Sequence, residues 1–121
     1  MDARYVFRVR FGLDVRADVS ISPDQFETRL FRPAAPPGEP GWRFFRDNLW
    51  RGRLADEAHF RRLTGDALGV PVVSVIYRAF ETDEEYLQAL REEIGENLAA
   101  FRADTVTEVL SKYLGSSIEL R

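Results

Sequence analysis

Residues 5–21 read YVFRVRFGLDVRADVSI, and an apolar side chain occupies every odd position: Tyr5, Phe7, Val9, Phe11, Leu13, Val15, Ala17, Val19 and Ile21. The even positions are mostly polar or charged, with Arg8, Arg10, Asp14, Arg16 and Asp18 among them. Successive side chains of an extended backbone point to opposite faces. A period of two therefore predicts strand, with one face buried and the other in water. Gly12 interrupts the pattern, either as a bend in one long strand or as the turn of a hairpin. The Arg-studded outer face is the ordinary exposed side of an antiparallel sheet.

Downstream, Ser22-Pro23-Asp24-Gln25 has the form of a helix start, with Pro at the first helical position and Gln three after Ser. The apolar positions after it are too few to sustain a helix, so one turn and then a short strand over residues 26–31 are expected. Residues 33–41 hold four prolines and two glycines and predict a loop. Asp56 and Glu57 supply acids for a helix N-terminus. Phe60, Leu63 and Ala67 form that helix's apolar stripe, and Gly69 with Pro71 stops it. Residues 72–80, rich in β-branched and aromatic side chains, predict a central strand.

Thr82-Asp83-Glu84-Glu85 matches a capping box. The helix it opens carries Leu87, Leu90, Ile94, Leu98 and Phe101 at spacings of three and four, and Gly95 within it suggests close packing against a neighbour. A second box, Thr105 to Glu108, opens a helix with Val106, Val109, Leu110, Tyr113 and Leu114 inward. Gly115 ends it, and a short strand closes the chain. Several strands, helix, strand, helix, helix, strand is the order of an α+β two-layer sandwich. The expected sheet is largely antiparallel, of four to five strands, with about three helices on one face.

Composition bounds the function. The 121 residues suit one domain, and 45% apolar residues suffice for a core. No apolar run is long enough to span a membrane, and the first residues lack an apolar leader, so a cytoplasmic protein is expected. The absence of cysteine excludes disulfides and thiolate chemistry. Sixteen arginines stand against a single lysine, Lys112. Residues 1–62 hold twelve Arg and nine acids, a net of +3; residues 63–121 hold five basic residues and eleven acids, a net of −6. Such asymmetry fits a basic ligand face or two mutually attracting layers.

Enzyme constellations are scarce. His59 is the only histidine, and a lone helical His is more often a surface residue than a general base. No metal-ligand spacing, nucleophile elbow or phosphate-binding glycine loop occurs. No catalytic residue, metal or cofactor is expected.

Function therefore falls to residues 42–53, WRFFRDNLWRGR, where four aromatic and four arginine residues crowd around one acid. A structural role is expected to run as follows. Residues 42–45 form a strand, Asp47-Asn48 makes a turn, Leu49 and Trp50 anchor the exit, and Arg46, Arg51 and Arg53 pair with the acidic C-terminal half. Alongside it, Trp42, Arg43, Arg46, Asp47, Asn48, Trp50, Arg51 and Arg53 are the candidate binding residues. Trp and Arg are the types most enriched in protein–protein hot spots, which favours a protein partner or a homo-oligomer. The alternative is single-stranded RNA or DNA, held by guanidinium forks and aromatic planes together with Arg8, Arg10 and Arg16.

Arg46-Asp47-Asn48-Leu49-Trp50-Arg51-Gly52 resembles the signature of the haloarchaeal LWR-salt proteins, a family of similar length. The resemblance extends from the strand over residues 3–11 to the closing Lys112-Tyr113-Leu114-Gly115-Ser116-Ser117. It implies a salt-loving archaeal source, which the preference for Arg over Lys fits, and a small cytoplasmic protein. It implies no activity and transfers no catalytic residue.

Overall fold

The structure is a computed structural model and describes residues 1–12 and 25–121. The alternation over residues 13–21, with Arg16 in it, and the helical turn expected at residues 22–24 lie outside the described residues. Strand β1 spans Ala3–Gly12 and β2 spans Gln25–Pro33, with α1 at Phe44–Asn48 after the proline loop. The two-residue strands β3 (Leu49–Trp50) and β4 (Arg53–Leu54) follow, then α2 (Glu57–Leu68) and β5 (Val72–Thr82). Helix α3 (Glu84–Gly95), a 3-10 turn at Leu98–Phe101, α4 (Val106–Leu114) and β6 (Ile118–Leu120) complete the chain.

The main sheet has the order β2-β1-β5-β6. Strand β1 is central and antiparallel to both neighbours, while β6 runs parallel to β5. Strands β3 and β4 form a separate hairpin. The fold is the expected α+β class. Ala3, Tyr5, Phe7 and Val9 of β1 join Val75, Tyr77 and Phe80 of β5 in one core with Phe45, Phe60, Leu90, Ile94, Phe101, Val109 and Leu114. Every helix of the described residues thus packs on the odd-numbered face of β1, as the alternation required.

Strand β5 carries a departure no periodicity announces. Val6 pairs with Ala79 but Phe7 pairs with Tyr77, so Arg78 is an extra residue. This β-bulge shifts the inward positions from Val75 and Tyr77 to Phe80 and Thr82. Because of the bulge, Glu81 shares the outer face with Arg4, its pairing partner.

Five sequence expectations shift. Helix α3 ends at Gly95 and the Leu98–Phe101 turn is separate, so Phe101 reaches the core from a 3-10 turn. The α3 cap is Asp83, which accepts from the Tyr86 amide at 2.7 Å, while Thr82 ends β5. On α2 the buried residues are Phe60 and Thr64, and Leu63 is exposed. A Cβ on Gly95 would meet Val106 at an ordinary 3.6 Å, so no close packing demands the glycine. The second box is partly realised: Thr105 accepts from the Glu108 amide, whereas Glu108 accepts from the Asp104 amide.

Candidate binding surface

Residues 42–45 are not a strand. Gly41 has φ +90°, a conformation that turns the chain sharply, and amide-to-carbonyl bonds from Trp42 to Glu39 and from Phe44 to Gly41 lead into α1. Helical spacing then sends Phe45 inward, where it stacks on Phe101 at 5.6 Å and 5°. Trp42 is 8% exposed and meets Phe45 and Phe101 edge-on. Phe44 fills the gap between Tyr5 and Phe60. Asp47 and Asn48 belong to this helix and form no turn. Asp47 accepts from Arg46 at 2.9 Å, and the Asn48 side-chain Nδ2 donates to the Phe44 carbonyl at 3.0 Å.

The turn of the motif lies further on, at Arg51-Gly52. Trp50 pairs with Arg53, leaving a two-residue loop whose φ angles are +52° and +77°. Positive φ at both central residues is the type I′ hairpin, whose twist matches that of the flanking strands. The Arg51 amide donates to the Lys112 carbonyl and the Gly52 amide to the Tyr113 carbonyl, each at 2.9 Å. These carbonyls lie in the last turn of α4, where intrahelical partners run out. The hairpin tip therefore acts as the helix's C-terminal cap.

Leu49 and Trp50 point opposite ways. Leu49 is 1% exposed and joins the core, whereas Trp50 is 46% exposed. One side of the Trp50 ring meets the edge of Tyr113 at 6.0 Å. The Arg51 guanidinium and the Lys112 ammonium lie 5.7 and 5.9 Å from its centre. Lys112 is anchored in turn by donating to the Phe101 carbonyl at 3.0 Å. Trp50, Arg51, Glu108, Ser111 and Lys112 line a shallow hollow of about 610 Å³.

The candidate residues thus divide. Trp42, Arg43, Asp47 and Asn48 border a second hollow of about 420 Å³ with Arg32, and the two hollows share no lining residue. Pairing of the motif's arginines with the acidic half is corrected. Arg46 binds its neighbour Asp47, and among the described residues neither Arg51 nor Arg53 forms an ion pair. The two halves are joined elsewhere, on the outer sheet face, where Glu81 accepts from Arg4 and from Arg121 at 2.8 Å each. Burial opposes the Glu81 charge, but the two guanidinium hydrogen bonds hold its pKa below the ordinary value. Lys112, Tyr113, Glu108 and Ser111 were not legible as surface partners of Trp50, because the contact joins residues some sixty positions apart.

A model of the LWR-salt protein family matches residues 1–121, the whole chain. The chain belongs to the LWR-salt family. Its Leu49-Trp50-Arg51 run is the point at which strand β3 turns from core to surface and then onto α4. In this LWR-salt protein the three residues have three distinct tasks: burial, exposure and capping. Comparison with curated proteins and with solved structures finds no match. Among the described residues, no helix is long and apolar enough to cross a membrane.

Proposed function

We propose that this protein is a non-enzymatic cytoplasmic binding module of a halophilic archaeon, contacting a protein partner or a second copy of itself through the face around Trp50. The observation that carries this reading is the 46% exposure of Trp50 on a hairpin locked to α4 by two backbone hydrogen bonds. A large ring held in one orientation loses little conformational entropy when it is covered, which is why Trp with flanking Arg recurs in hot spots. Arg51, Lys112 and Glu108 give the face a polar rim of both signs. Nucleic-acid binding by this motif has less support, because Trp42 and Phe45 are inside the core and leave Trp50 as the main stacking plane.

Sedimentation equilibrium of the full chain and of Trp50→Ala tests the reading, with Trp50 emission followed in a Trp42→Phe background. Self-association gives a mass that rises with concentration and a blue-shifting Trp50, both lost in Trp50→Ala. It also persists in molar salt, where the Debye length is about 3 Å and charge pairs are screened. A chain that stays monomeric excludes self-association. A heterologous partner must then shield Trp50 from an aqueous quencher, and a Trp50 that stays fully quenchable in the complex defeats the proposal.

A further inference from the structure

Among the described residues no helix lies on the outer face of the sheet, where Val6 and Ala79 are nonetheless buried, and the residues of this face are set by the strand register. Arg4, Val6, Arg8 and Arg10 of β1 lie opposite Pro33, Phe31, Arg29 and Glu27 of β2. On the other side Arg4, Val6, Arg8 and Arg10 lie opposite Glu81, Ala79, Ile76 and Ser74 of β5. Two of these arginines are neutralised: Arg4 by Glu81 and Arg10 by Glu27, at 2.8 and 2.7 Å. Arg8 and Arg29 form no such bond, although Glu27 lies near enough to Arg8 to feel its charge as well as that of Arg10. The two arginines oppose each other directly across β1 and β2, and among the described residues neither forms an ion pair.

Like charges at directly opposed positions of an antiparallel pair repel. An anion bridging the two guanidinium forks converts that repulsion into binding energy, since each fork can hold two oxygens of one phosphate. Beside the pair stand exposed apolar surfaces. Phe31, two residues along β2 from Arg29, is 42% exposed and has the Arg4 and Arg29 guanidiniums 4.0 and 5.9 Å from its ring centre. Ile76, opposite Arg8 on β5, is 41% exposed. Cations interleaved with an exposed ring on an open sheet match the two components of single-stranded nucleic acid, its phosphates and its base planes.

We infer that the outer sheet face binds single-stranded nucleic acid, with a backbone phosphate between Arg8 and Arg29 and a base against Phe31. An acidic peptide would satisfy the cations but would leave the ring without a flat partner. The site is separate from the Trp50 face, so Trp50→Ala binds normally.

Anisotropy of a labelled single-stranded RNA of about 12 nucleotides, titrated with the full chain in about 50 mM salt, tests the inference. Arg29→Ala, exposed on an edge strand, weakens binding about tenfold and makes the slope of log K against log salt shallower by about 0.7. Phe31→Leu weakens binding comparably and leaves the slope unchanged, because stacking releases no counterion. Arg62→Ala, an exposed arginine on α2, is the control and binds as the parent chain does. Circular dichroism confirms that each variant is folded, and Arg29→Lys retains part of the affinity. The inference is overturned by absence of binding at low salt or by equal loss in Arg62→Ala. It is equally overturned if polyglutamate displaces the RNA at matched charge, which would make an acidic protein the occupant.

Discussion

Gly115 passes so close beneath Arg51 that a methyl group on its Cα would sit 3.1 Å from the Arg51 carbonyl oxygen. The approach is reciprocal. A methyl group on Gly52 would lie 3.1 Å from the Leu114 carbonyl oxygen. The hairpin tip and the end of α4 therefore interlock through two glycines, and the Arg51-Gly52 turn can cap the helix only because neither carries a side chain.

Comparing Gly52 with Gly69 separates this crowding from positive φ, whereas Gly115, at φ 59° and ψ −132°, adds backbone strain of its own. Gly115→Ala and Gly52→Ala each meet a backbone oxygen at positive φ and should lose about 1–3 kcal/mol. Gly69→Ala has a similar φ of +70° but nothing within 4 Å, and should lose only about 1 kcal/mol. Urea midpoints of the three variants give the comparison.

Leu49→Ala and Trp50→Ala should affect stability very differently although the residues are adjacent. Leu49 is fully enclosed, so its truncation removes transfer energy and leaves a cavity, about 2–5 kcal/mol. Trp50 keeps one edge-to-face contact with Tyr113, and its truncation should cost about 1 kcal/mol. Equal losses would mean that the exposed ring is in fact a core element.

The acid limb of stability should report Glu81. Its pKa is lowered in the fold, where guanidinium bonds from Arg4 and Arg121 outweigh the burial that opposes its charge. A depressed carboxyl contributes stability that is present above its unfolded pKa and lost as pH falls through the folded one. Asp83 acts in the same direction, its carboxylate accepting from the Tyr86 and Asp2 amides. Glu81→Gln should therefore destabilise at neutral pH and flatten the decline below the usual carboxylate range. Thermal midpoints across that range measure it.

The alkaline limb should report the buried phenols Tyr5, Tyr77 and Tyr86, all raised by burial, and Tyr86 is the one nearest the ordinary value. Burial raises its pKa to about 12, and its hydroxyl donates to the Ala35 carbonyl at 2.6 Å. A raised phenol favours the protonated fold, so stability is full below the unfolded pKa of about 10 and falls as pH rises toward the folded value. Tyr86→Phe should lose about 1 kcal/mol at neutral pH and show a weaker decline above pH 10. Ultraviolet titration of the phenol checks the assignment.

Much of the sheet was legible because burial imprints a period on local sequence. Ala3, Tyr5, Phe7 and Val9 of β1 and the inward residues of α4, namely Val109, Leu110, Tyr113 and Leu114, face the core as their spacing required. Phe11, past an irregularity in the register, is only half-buried, whereas Val6 on the even face is fully buried. Stops at Gly69 and Gly115 were legible for a similar reason, since positive φ there favours glycine. Residues 42–48 misled, because aromatic residues favour strand by propensity while a sharp turn at Gly41 and contacts to Phe101 impose a helix. Arg51 at φ +52° had no signal at all, being a non-glycine residue held in the left-handed region by bonds to α4.

What the sequence determined by itself was the class of fold, the face of β1 that enters the core, and the family signature at Leu49-Trp50-Arg51. These follow from side-chain period and residue type, which act over a few positions. Only the tertiary structure decided that Trp50 faces solvent, that the Arg51-Gly52 turn caps α4, and that Arg8 opposes Arg29. Each depends on register or on hydrogen bonds between residues far apart in the chain, and a one-residue slip of a strand would have reversed the faces.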